Sequence, residues 1–247
     1  MSPLPHRALT EVRERIAAAC RRAGREPATV GLVAVTKGRA PDDVLALLAA
    51  GQHVLAENRV QDWRALVDAL GDGAPGATPP QWHLIGHLQR NKARFCRPFA
   101  LIHSLDSERL ARALDEEGAK HDHVFRTLLQ VNVSGEASKF GVAAEDVEGL
   151  LDRVAALPHV EVAGLMTIAP YHDDPERARP VFASLRELAR DLGLRELSMG
   201  MSGDYEVAVE EGATLVRIGS ALFERAGAAD GDEAQPGVGA STASTST

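Results

Sequence analysis

Lys37 closes the run V-G-L-V-A-V-T-K (residues 30–37), where apolar residues give way to an amine and then to Gly38. A short apolar stretch with β-branched Val30, Val33, Val35 and Thr36, followed by Gly38 and Pro41, predicts a buried strand. An amine at the end of such a strand is partly desolvated. That disfavours the ammonium form and leaves a nucleophile near neutral pH, able to form an imine with an aldehyde. The ordinary alternative is a lysine that snorkels from the strand end into solvent. The chain has four lysines, Lys37, Lys92, Lys120 and Lys139, and Lys37 alone follows directly on a strand of buried type.

Two further stretches suit an anion. M-S-G-D (Met201 to Asp204) and R-I-G-S (Arg217 to Ser220) each bring small residues, a hydroxyl and free backbone N–H groups to a predicted helix start. The unpaired donors and the helix dipole there favour a phosphate. Ser202 and Ser220 could equally cap their own helices. A phosphate site facing an amine calls for a ligand with both a phosphate and an aldehyde. Pyridoxal 5′-phosphate fits, and so does a sugar phosphate handled by a Schiff-base aldolase; residue chemistry leaves both open. Arg217 is always charged and only donates, so it could bond a pyridine nitrogen only in its unprotonated form. A carboxylate-paired or surface-covering arginine is the alternative.

At 247 residues the chain is long for one average domain but ordinary for an α/β barrel, and 45% hydrophobic residues suit a globular protein with a large core. A formal charge of −8 without a basic block argues against a nucleic-acid surface. Two cysteines, Cys20 and Cys96, give no disulfide framework, and the start M-S-P-L-P-H-R has no apolar signal core. No run approaches membrane-spanning length. A cytoplasmic protein is expected.

The elements that must position these groups alternate. Leu9, Val12, Ile16, Cys20 and Ala23 mark an amphipathic helix stopped by Gly24. Strands are then predicted at 30–37, 53–56, 82–85, 101–103, 125–133, 160–168, 196–198 and 214–218. Helices follow from Pro41, from Glu57-Asn58 through Leu70, through Asn91-Lys92, from Ser104–Asp106, over Val147–Val154, over Val181–Leu192, through Val207-Ala208, and as a last turn opened by Gly219-Ser220. Eight such units in about 220 residues predict a single (β/α)8 TIM barrel with an extra N-terminal helix. An open doubly wound sheet is the runner-up, but neither of its usual Gly-rich phosphate fingerprints is present. Residues 1–225 form the predicted domain, and 226–247, rich in Gly, Ala, Ser and Thr, are predicted to be a disordered tail. A barrel of this kind puts its chemistry at the C-terminal ends of the strands, which carry Lys37, Glu57-Asn58, His83 to His87, Ser104, Asn132 to Ser134, Met166-Thr167, Ser198 to Gly203 and Arg217 to Ser220. His83 and His87 have no partner spacing for zinc, and no metal site is expected. Glu57 could neutralise Lys37 or cap its helix. Lys139 is a solvated loop lysine or a second reactive amine.

The ordered set A-V-T-K, E-N-R-V-Q, W-H-L-I-G-x-L-Q-x-N-K, H-S-L-D, Q-V-N-x-S-x-E-x-S-K-x-G, G-L-M-T-I, L-S-M-G-M-S-x-D and V-R-I-G-S-A-L-F resembles the YggS/PROSC family of pyridoxal-phosphate homeostasis proteins, from about Val30 to Phe223. The resemblance implies a barrel like the N-terminal domain of alanine racemase and pyridoxal 5′-phosphate held as an internal aldimine on Lys37. It implies phosphate contacts from Ser202, Gly219 and Ser220, with Arg217 towards the pyridine nitrogen and Asn58, His83 and Met166 around the cofactor. Gly38 and Arg39 stand where many members carry other residues. The family is regarded as lacking established turnover, so the expectation is a binder for intracellular pyridoxal phosphate homeostasis, a monomer, with apo-enzymes as recipients. The alternative is a racemase or decarboxylase of the alanine-racemase barrel type. Such enzymes need a second, β domain, and nothing after about Arg225 could fold into one; Tyr171 and Tyr205 are the only tyrosines for a second acid/base.

Overall fold

The computed structural model describes residues 4–71, 78–135 and 140–223. Helix α1 (Leu4–Arg22) carries a stripe of Leu9, Val12, Ile16, Ala19 and Cys20, all buried, and the chain turns away at Gly24 with φ 65°. Then follow β1 (Gly31–Val35), α2 (Pro41–Ala49), β2 (Val54–Glu57), α3 (Val60–Leu70), β3 (Gln81–Leu84), β4 (Phe99–Leu105), α4 (Glu108–His121) and β5 (Phe125–Asn132). After these come a two-residue strand β6 (Val142–Ala143), α5 (Val147–Ala155), β7 (Val160–Met166), α6 (Arg179–Asp191), β8 (Glu196–Ser198), α7 (Tyr205–Glu210), β9 (Leu215–Ile218) and α8 (Ser220–Phe223).

Every strand pairing is parallel. The order runs β4-β3-β2-β1-β9-β8-β7-β5, and β4 pairs with β5 to close an eight-stranded barrel, with β6 added beside the end of β5. Parallel strands force each connection back over the outside, which places the helices around the barrel. On α6, Phe182, Leu185 and Ala189 recur on one face and are buried, worth roughly 2–3 kcal/mol for the phenylalanine alone. Most of the core lies between barrel and helices, while a small second cluster of Leu101, Leu128 and Met166 fills the barrel interior.

The predicted elements are present with two corrections. The segment through Asn91-Lys92 is a 3-10 helix (Arg90–Phe95) rather than an α-helix. Ser104 lies inside β4 and its hydroxyl donates to the Gly86 carbonyl at 2.7 Å; Ser107, three residues later, caps α4 by accepting from Leu110 N. Lys139 and the tail 226–247 lie outside the described residues.

Candidate functional site

The C-terminal ends of β8, β9, β1 and β2 form one continuous arc. Ile218 pairs with Ala34, so Gly219 follows beside Val35; a Cβ at Gly219 would sit 3.5 Å from that of Val35. Val35 in turn pairs with Ala56. Lys37 stands two residues past β1, in a turn shaped by Gly38 at φ 69° and by Arg39 N donating to Thr36 O. Thr36 is buried, but Lys37 is exposed. The expected partial desolvation is therefore corrected: the tight turn carries the side chain out of the strand's packing into the open mouth.

On one side of Lys37 the two small-residue loops are tied together. Ser202 Oγ accepts from Gly219 N and Ala221 N, both at 3.3 Å, so it caps the start of α8 instead of its own α7. Asp204 Oδ1 accepts from Met201 N at 2.6 Å and fixes the other loop. Ser202, Gly219 and Ser220 are half-buried around one corner of the mouth. On the other side lie Glu57 and Asn58, and Gly86 packs so closely on Asn58 that a Cβ there would overlap its carbonyl.

Arg217 projects from β9 into the barrel with 3% exposure. Its Nη1 donates to Ser198 Oγ at 2.5 Å and its Nη2 to Thr167 O at 2.9 Å, which holds the guanidinium at the ends of β7 and β8. Burial lowers its pKa to about 10, opposed by Asp204, so it stays a cation at neutral pH. Two of the five N–H groups of an arginine are thereby engaged. Among the described residues no carboxylate forms an ion pair with it, so donors remain for a further acceptor.

The contact with Ser198 continues into the barrel. His103 Nδ1 lies 2.8 Å from Ser198 Oγ, and His103 Nε2 lies 2.9 Å from His83 Nδ1. Arginine can only donate, so Ser198 accepts from it and still has a proton and a lone pair for the contact with His103 Nδ1. One ring nitrogen donates and the other accepts between His103 Nε2 and His83 Nδ1. Both rings are neutral: burial first, then Arg126, lowers the His83 pKa to about 4, and burial, His83 and Arg217 push His103 well below the usual range.

His83 and Met166 are thus placed differently from the other predicted residues. His83 points inside the barrel to His103 and lines a cavity of about 610 Å³ at the N-terminal end of the strands, among Gly31, Val54, Gln81, Arg126 and Glu196. Met166 belongs to the interior cluster. Lys37, Asn58, Ser202, Gly219 and Ser220 share the mouth, and Arg217 reaches its floor. Sequence reasoning missed Ser198 and Thr167 as partners of Arg217, and His103 as the partner of Ser198. The available signal was parity, since a histidine and a serine at inward positions of buried strands must find partners across the barrel. His87 instead lies at the surface, 3.1 Å from Asp106 and stacked on Phe140. Tyr205 is buried beneath α1 with its hydroxyl unpartnered, and Arg15 lies over its ring.

Residues 8–226 match the family described as alanine racemase, N-terminal domain. The pyridoxal phosphate homeostasis protein of Deinococcus radiodurans is 48% identical over 202 residues, covering 81% of this chain and 92% of that protein. Its counterpart in Aquifex aeolicus is 43% identical over 222 residues, covering 87% and 95%. Among solved structures, PipY of Synechococcus elongatus with pyridoxal phosphate bound is 36% identical, covers 86% of this chain and 99% of its own, and superposes with a TM-score of 0.73. Alanine racemase of Corynebacterium glutamicum, at 18% identity and a TM-score of 0.63, shares the fold, with this chain covering 62% of its length. The chain belongs to the alanine racemase N-terminal domain family, and within it to the pyridoxal phosphate homeostasis proteins.

Proposed function

We propose that this protein binds pyridoxal 5′-phosphate through Lys37 and serves intracellular homeostasis of that cofactor without catalysing turnover of its own. The observation that carries the reading is a buried, always-charged Arg217 with free donors and no carboxylate partner among the described residues, in the same mouth as an exposed amine and a half-buried hydroxyl–amide corner. Such a guanidinium fits a neutral nitrogen acceptor, as a pyridine offers. When bound, the cofactor supplies an aldehyde and an electron-accepting ring.

Lys37 would supply the amine that holds the aldehyde, the carbonyl oxygen leaving as water. Ser220 would hold the phosphate through its N–H and hydroxyl and Ser202 through its O–H, with Gly219 letting the backbone approach closely. Arg217 would orient the ring and, because it can only donate, would favour an unprotonated ring nitrogen, a weaker electron sink. Asn58 would lie beside the cofactor, from the segment after β2. An exposed Lys37 is open to water and to small amines, which suits uptake and release better than water-excluded carbanion chemistry. Apo-enzymes are the recipients on this reading. Two buried cysteines without a disulfide support a reducing compartment, the cytoplasm. The test is an absorbance spectrum of the purified protein with and without the cofactor: a visible band lost in Lys37→Ala, with no steady product formation from amino acids, is expected. Sustained racemisation or decarboxylation that disappears in the same variant would replace this reading with an enzymatic one.

A further inference from the structure

The N-terminal end of a barrel ordinarily serves stability, but here it opens into the cavity of about 610 Å³ that His83 lines. His83 is 7% exposed. Its Nδ1 meets His103, while its Nε2 has no partner among the described residues and is not sealed from solvent. Arg13 of α1 lines the same cavity and is held there by a buried amide. Gln52 Nε2 donates to Leu32 O and Val54 O, both at 2.8 Å, and Gln52 Oε1 accepts from Arg13 Nη2 at 3.2 Å. The same Nη2 lies 3.4 Å from Gly51 O, and among the described residues no carboxylate pairs with this guanidinium.

The charges at this end decide the kind of ligand. Arg126 also lines the cavity, but it is paired with Glu196. Arg13 is left as the uncompensated cation, so a monoanion fits. A guanidinium fork suits a carboxylate, and a cavity of this size leaves room for a further oxygen to meet His83.

The path inward from His83 has no break. His103 Nε2 lies 2.9 Å from His83 Nδ1, His103 Nδ1 lies 2.8 Å from Ser198 Oγ, and Ser198 accepts from Arg217. Each neutral ring carries one proton, so the chain has two arrangements. In the first, Ser198 donates to His103, His103 donates to His83, and His83 presents an N–H to the cavity. In the second, both ring protons point the other way. His83 Nε2 is then an acceptor, and Ser198 accepts from His103 as well as from Arg217. Passing from first to second releases one proton from Nε2 to solvent in the cavity and takes one up at Ser198 Oγ from the mouth side. No heavy atom has to move.

We propose that the cavity at the N-terminal end of the barrel binds a small organic acid, its carboxylate on Arg13 and a further oxygen on His83 Nε2, and that occupancy fixes the first proton arrangement of His83, His103 and Ser198. Arg217 then faces a hydroxyl committed to donating inward. Any consequence for the cofactor rests on Arg217 facing its ring; the anion site does not.

The test is a titration of full-length protein carrying isotope-labelled histidine, at neutral pH, with sodium acetate and with sodium gluconate, against sodium chloride at equal ionic strength. NMR reads the ring nitrogens of His83 and His103, each identified by its loss in His83→Gln or His103→Gln. The expected result is a saturable change with at least one organic acid, His83 moving towards the Nε2–H form and His103 moving with it. Half-saturation should need about tenfold more of the acid in Arg13→Gln. No saturation with either acid by about 0.1 M, an equal response to chloride, or an unchanged midpoint in Arg13→Gln overturns the anion site. A response at His83 that does not reach His103 overturns the relay. Arg13 is exposed, and the comparison of organic acid with chloride in wild type decides even if Arg13→Gln does not fold. Attachment of the cofactor to an amine other than Lys37 would sink the functional assignment and leave the histidine response untouched.

Discussion

Arg217 Nη1 donates to Ser198 Oγ at 2.5 Å inside the barrel, and that single contact connects the floor of the mouth to two neutral histidines. A buried cation in this fold is oriented by a hydroxyl and a carbonyl, not by a carboxylate. Each of those groups is satisfied in turn, so the arrangement is rigid as well as uncharged beyond Arg217 itself.

Ser198→Ala removes the acceptor and leaves both an arginine N–H and His103 Nδ1 without a partner. The expected cost is about 1–3 kcal/mol of stability, seen as a lower denaturant midpoint at unchanged slope. Affinity for pyridoxal 5′-phosphate should fall as well, because Arg217 is no longer held towards the ring. Unchanged affinity together with lost stability would separate Ser198 from the site.

Acidification should weaken the fold through the histidine pair. The His83 pKa is about 4 in the folded chain against an unfolded value near 6.5, so the unfolded chain binds more protons between those values. The stability tied to neutral His83 is present above about pH 6.5 and is lost as pH falls towards 4, by about 3 kcal/mol at most. Denaturant midpoints measured across that window should fall in wild type and fall less in His83→Gln. Equal slopes in the two proteins would contradict the buried neutral assignment.

Gly86 and Gly219 both lie in mouth loops and should respond oppositely to alanine. A Cβ at Gly86 meets the Asn58 carbonyl, so Gly86→Ala should destabilise by about 1–3 kcal/mol and displace Asn58. A Cβ at Gly219 makes only an ordinary contact with Val35 at 3.5 Å, so Gly219→Ala should stay within about 0.5 kcal/mol of wild type. Thermal unfolding of both variants is the check. Loss of cofactor affinity in Gly219→Ala at wild-type stability would tie that corner to the phosphate.

The barrel was legible because its strands are short apolar runs punctuated by Gly and Pro, such as the one before Lys37, and its helices carry clear apolar stripes. The two loops that Ser202 joins were legible as small-residue helix starts, but not that Ser202 caps the neighbouring helix, because that pairing spans different units of the chain. Exposure of Lys37 was not legible, since whether a turn carries a strand-end side chain outward depends on its backbone path. The contact of His83 with His103 inside the barrel was not legible in a local motif, because it follows from strand parity across different units of the chain.

The most direct measurement is borohydride reduction of the protein loaded with pyridoxal 5′-phosphate, followed by digestion and peptide mass mapping. One reduced adduct on the peptide containing Lys37, absent from Lys37→Ala, is the expected result. An adduct found on Lys92, Lys120 or Lys139 with Lys37 unmodified would contradict the central claim.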